Sequence, residues 1–132
     1  MTEKNNMKNI KNLSTTITEG SRAVLYFFHY DPALQHSILR LVQHYLPTNE
    51  AHFYEIELSH IEHFHINRRR QKLIHNNFVE SLQYEEAENC MSIRIYIPNN
   101  ILDIKAASVT LDLLHTEDAV WHPNDQPFWL FP

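Results

Sequence analysis

A single glycine, Gly20, stands in a chain of 132 residues. At the usual frequency of roughly 7%, a chain of this length carries about nine. Glycine lets a backbone take φ > 0 freely and approach a bound phosphate closely. Its absence after position 20 excludes the dinucleotide-binding fingerprint, the phosphate loop and the strained nucleophile elbow together, because each needs glycines at fixed spacing. No other complete catalytic signature replaces them.

The length fits one domain with one core. A hydrophobic fraction of 43%, with seven Phe, six Tyr and two Trp, is ample for a packed interior. The only cysteine, Cys90, has no partner for an internal disulfide, which suits a reducing compartment. The longest apolar run, Ala23 to Phe28, is too short to span a bilayer, and the first residues lack the apolar stretch of a signal peptide. A cytoplasmic protein with no membrane partner is the expectation.

Net charge is −5, unevenly spread. Residues 1–78 carry nine Lys/Arg against seven Asp/Glu, whereas residues 79–132 carry two against nine. An acidic C-terminal part repels nucleic acid and favours a basic partner.

Residues 1–20 are polar, with apolar residues too sparse for a face, and are predicted to form a mobile arm in which Leu13 to Ile17 could add an edge strand. Ala23 to Tyr30 is β-branched and aromatic, as in a strand covered on both sides. Asp31 is placed to cap a helix, with Pro32 at its first position. Leu34, Ile38, Leu41, Val42 and Tyr45 then recur at helical spacing, putting His36, Arg40, Gln43 and His44 on the wet face. Phe53 to Leu58 alternates as a strand, with Tyr54, Ile56 and Leu58 on one face. Ser59 and Glu62 match a capping box and predict helix from His60 towards Tyr84, although His63 to Ile66 also alternates. Met91 to Ile97 alternates cleanly, and Pro98 to Asn100 makes a turn. Residues 101–114 fit a helix through Ile104, Ala107, Leu111 and Leu114, or a strand through Val109, Leu111 and Leu113. Phe128 to Phe131 is predicted as a last strand.

The expected fold is therefore α/β: a single compact domain over 21–132 with a mixed sheet of four to five strands and two main helices, in β-α-β-α-β-β order. At Tyr30-Asp31-Pro32-Ala33 the strand-to-helix junction resembles the thioredoxin-like arrangement. That family delivers a C-x-P-C-type turn onto a helix; here the proline is kept and both redox cysteines are missing. The resemblance implies a structural subunit or chaperone without redox activity.

Three clusters are candidates for chemistry. His60, His63 and His65, near His52, Glu55, Glu57 and Glu62, offer ligands that zinc accepts. A helix would align His60 with His63, and a strand His63 with His65, so no regular structure aligns all three. A His-based metal-dependent enzyme is the alternative this cluster supports. Arg68, Arg69 and Arg70, followed by Lys72, would fan out by about 100° each on a helix, so pairing with Glu62 and Glu80 is expected rather than a phosphate-binding stripe. Glu80, Glu85, Glu86 and Glu88, joined by Glu117, Asp118, Tyr84 and Trp121, form the third cluster. Carboxylates at a helix C-terminus oppose its dipole, and local choices that cost stability flag functional surfaces. The reading adopted is a non-enzymatic protein-binding module without a cofactor. It is of the immunity or inhibitor type and meets a basic partner through these eight residues.

Overall fold

The computed structural model describes residues 10–17, 22–45, 48–69 and 78–118. Helix α1 (residues 10–17) precedes six strands: β1 Ala23–Asp31, β2 His36–Tyr45, β3 Glu50–Arg68, β4 Ser81–Ala87, β5 Cys90–Ile97 and β6 Asn100–Asp118. The sheet order is β1-β2-β3-β6-β5-β4, antiparallel throughout. Two three-strand meanders, β1-β2-β3 and β4-β5-β6, are thus joined through their long third strands. The expected α/β domain with a mixed sheet and two main helices is overturned, and the thioredoxin-like comparison falls with it.

The 31–45 segment explains why. Asp31 Oδ1 accepts hydrogen bonds from the backbone N–H groups of Ala33 (3.0 Å) and Leu34 (3.3 Å), as a helix cap would. Those bonds instead close a turn, which ends at Gln35 with φ 51° and reverses the chain into β2. Leu34, expected to head an apolar helix face, is 72% exposed in that turn. Ser37, Leu39, Leu41 and Gln43 form one buried row at the strand period of two. Val42 and His44, on the opposite face, are buried as well. Burial on both faces near the end of β2 produced the false helical spacing.

The second predicted helix begins as strand. Ser59 and Glu62 lie within β3, residues 70–77 fall outside the described residues, and β4 begins at Ser81. Residues 101–114, readable either way, belong to β6. Their ambiguity has a physical origin. Along β6 the buried residues run Leu102, Ile104, Ala106 and then Val109, Leu111, a phase slip of one residue. β3 slips at the matching place: Ile56 and Leu58 are followed by Ile61. Leu58 pairs with Val109 and Ile61 with Ala106, so both strands turn over together. His60, at φ 54°, absorbs the turn on β3, and a bulge follows between Ile61 and His63. Each long strand is therefore shared between two layers: β2 pairs only with Glu50–Ser59 of β3, and β5 only with Asn100–Ala106 of β6.

The ends of the sheet also approach each other. Val24 forms an isolated bridge with Phe78, and the Val79 N–H donates to the Ala23 carbonyl at 2.9 Å. The result is a partly closed barrel whose interior holds Leu39, Leu41, Ile56, Leu58, Ile93, Ile95, Leu102 and Ile104. The described part of the predicted arm, residues 10–17, contributes to this core and is helix rather than edge strand. Its Ile10, Leu13 and Ile17, spaced at three and four, are all buried against the sheet. The Ser14 hydroxyl donates to the Leu82 carbonyl of β4, and the Gln43 amide of β2 donates to Thr16 Oγ1. α1 thus spans from one meander to the other. No helix among the described residues is long and apolar enough to cross a membrane.

Candidate binding groove

Several polar side chains gather on the inner face where the barrel is walled by α1. Alternation places Gln43 and Tyr45 of β2, then Glu50, His52 and Tyr54 of β3, on this face beside Leu111 and Leu113 of β6. Across from them α1 presents its polar side, with Thr15 and Thr16, and a groove of about 500 Å³ lies between.

Gln43 is 2% exposed, following Leu39 and Leu41 in the inward row of β2. A buried amide is costly unless hydrogen-bonded. Here its NH₂ reaches Thr16 Oγ1, while the Thr16 hydroxyl donates back to the Leu13 carbonyl at 2.9 Å. The turn before β3 is set by Asn49, at φ 54°, whose Oδ1 lies 2.6 Å from His44 Nε2.

A chain of polar contacts then follows one face of β3. The Thr48 hydroxyl donates to Glu50 Oε1 at 2.6 Å. The same oxygen is 3.4 Å from His52 Nε2, and His52 Nδ1 is 3.5 Å from the Tyr54 hydroxyl. Both latter contacts are at the long end of hydrogen bonding. The Tyr45 ring stacks on His52 with centroids 4.5 Å apart. The bond from Thr48, reinforced by His52, holds the Glu50 carboxyl below its ordinary pKa, so it is a carboxylate at neutral pH. Burial, aided by Tyr45, raises the Tyr54 phenol. Tyr54 therefore stays protonated at neutral pH.

Further along the same strand face, outside the groove lining, Asp118 of β6 is the register partner of Glu50. Like charges placed directly opposite on paired strands cost stability.

The residues singled out from the sequence are dispersed. Glu80 binds the Arg69 guanidinium, which also donates to the Ile97 carbonyl at 2.9 Å, so the expected internal pairing with Glu80 is present. Tyr84 turns inward onto the core, its hydroxyl buried. Glu85 and Glu86 sit exposed on β4, and Glu88 lies in the turn after it. Glu86 shares a ladder level with Met91 and, through it, Ala106. Glu117 lies at the far end of β6, beside His115 at 3.2 Å. The carboxylates of β4 and those of β6 thus stand on strands separated by β5. Trp121, Arg70, Lys72 and Phe128 to Phe131 lie outside the described residues. Of the histidines, His63 and His65 share a face with parallel rings, as strand geometry predicts, and His60 sits at the kink. No three His, Cys, Asp or Glu among the described residues are arranged to hold a metal ion.

Sequence reasoning missed Gln43 by placing it on a wet helix face. The alternation Ser37, Leu39, Leu41, Gln43 was the signal that could have found it. No family model matches this chain, and no curated protein or solved structure matches it either.

Proposed function

We propose that this protein binds a small organic cation, an amine with an apolar body, in the groove between α1 and the β2-β3-β6 face. The observation that carries the reading is Gln43, a fully buried amide in a barrel interior where leucine would pack with no polar cost. Around it the lining divides by chemistry. Leu13, Leu111 and Leu113 offer an apolar bed, and Tyr45 and Tyr54 offer ring faces that attract cations. Glu50 and Asp118 put two carboxylates on one rung, further along the strand face that carries Tyr54. Tyr54 supplies a donor for an oxygen on the ligand.

The test uses 9-aminoacridine, a fluorescent aromatic cation, with anilinonaphthalene sulfonate as the anionic control. The cation should bind more tightly than the anion, and Leu113→Trp, which fills the groove, should weaken it by about tenfold without lowering Tm. Equal or tighter binding of the anion, or indifference to Leu113→Trp, removes the reading.

A second reading, the immunity or inhibitor type, retains support from β4 alone. Glu85 and Glu86 are exposed on the last strand of the sheet order, with Glu88 in the adjoining turn. Charges on a terminal strand also keep it from pairing with other chains, so their purpose needs a partner experiment. Reversal of all three to lysine should abolish capture of a basic protein such as cytochrome c or lysozyme; capture that survives reversal removes this reading.

A further inference from the structure

The outer face of the β3-β6-β5 layer carries a second arrangement, independent of the groove. Ile61 and Phe64 both pack on the core, three residues apart, because the bulge inserts an extra residue between them. Glu62 and His63 are consequently both exposed between those two inward side chains, and His65 follows one strand period later. The His63 and His65 rings lie 5.8 Å apart with planes 8° from parallel.

Hydrogen bonding separates these two from other histidines. His36 is tied to Glu57, His44 to Asn49, His52 to Glu50 and Tyr54, and His115 to Glu117. Among the described residues, His63 and His65 are neighbours in space that carry no such tie, and both are exposed. Imidazoles on one strand face, two residues apart, can close on one ion by rotating about χ1 and χ2.

We infer that His63 and His65 form a two-imidazole binding site for a borderline divalent cation, with Cu²⁺ the tightest-bound, its other positions filled by water. Imidazole suits copper, nickel and zinc, and copper heads the divalent affinity order. Two groups opposite the pair on β6 tune the site. Lys105 faces His63 and repels a cation, while Asp103 faces His65 but is engaged by Arg94 at 3.2 Å. His60 takes no part, being displaced by the kink.

The experiment is a Cu²⁺ titration of the full, untagged chain, followed by electron paramagnetic resonance and by imidazole line broadening in NMR. Two nitrogen donors and selective broadening of His63 and His65 are expected at substoichiometric Cu²⁺. His63→Ala and His65→Ala should each weaken binding by about tenfold, and His60→Ala should change it by less than about twofold. Lys105→Gln should tighten it. Broadening centred on another histidine, or binding unchanged in the His63→Ala/His65→Ala double variant, overturns the site. The NMR readout on the unmodified protein keeps the test valid if a variant misfolds.

Discussion

Tyr30 and Phe64 stack face to face, their ring centroids 4.2 Å apart and their planes within 6°. Tyr30 is in β1 and Phe64 in the part of β3 beyond Ser59, where β2 no longer runs alongside. The stack, together with the Ile61 N–H bond to the Gln35 carbonyl at 3.0 Å, fastens the β1–β2 hairpin to the second layer. Phe64→Ala should cost about 2–3 kcal/mol, below a fully buried Phe because the ring is half-buried. A double-mutant cycle with Tyr30→Ala should return a coupling of about 1 kcal/mol. Chemical denaturation of the four species measures both; additive effects would mean that the rings merely coincide.

Strand period two was legible wherever only one face of a strand meets the core. Met91 to Ile97 is such a strand: Ile93, Ile95 and Ile97 are buried, as the alternation required. Phe53 to Leu58 likewise put Tyr54, Ile56 and Leu58 together. Legibility failed where tertiary packing overrode the local pattern. Val42 is buried on the outer side against Val24 and Ala51, a second small cluster that no local pattern announces. The phase slips at His60 and in β6 gave Ile104, Ala107, Leu111 and Leu114 a helical appearance although Ala107 and Leu114 are exposed. The groove was invisible for the same reason: it exists only because β2, β3, β6 and α1 converge.

Gln43 should trade stability against binding. Gln43→Leu removes a buried amide whose partner, Thr16 Oγ1, keeps a second bond to the Leu13 carbonyl. Loss of the bond and gain of apolar burial then nearly cancel, leaving stability within about 1 kcal/mol of the parent or above it. Binding of 9-aminoacridine should fall. A large destabilisation in thermal melts would instead make Gln43 a structural tie between β2 and α1.

Glu50 sets an acid limb. Its carboxyl is held below the ordinary value of 4.5 first by the Thr48 hydroxyl and then by His52. A depressed carboxyl contributes stability that is present above its unfolded pKa and lost as pH falls through its folded pKa. Thr48→Val removes the leading cause, so the Glu50 pKa should move up towards 4.5, and its contribution to stability should shrink and be fully lost at a higher pH. The side-chain carboxyl carbon shift of Glu50, followed by NMR between neutral pH and acid, measures this. An unmoved titration in Thr48→Val would assign the depression to His52.

His60 holds the turnover of β3 in a left-handed conformation, φ 54°, that costs most residues about 1 kcal/mol or more and glycine almost nothing. His60→Gly should therefore leave stability unchanged or raise it by up to about 1 kcal/mol. His60→Val should lower it by at least that amount, because a β-branched side chain tolerates positive φ worst. The contrast isolates backbone conformation from anything the imidazole does, since both variants delete the ring. Urea midpoints decide between them: equal losses in both variants would mean that the imidazole itself, and not the backbone angle, is what the bend requires. Neither variant should alter Cu²⁺ binding at His63 and His65, provided the kink keeps its shape in His60→Gly.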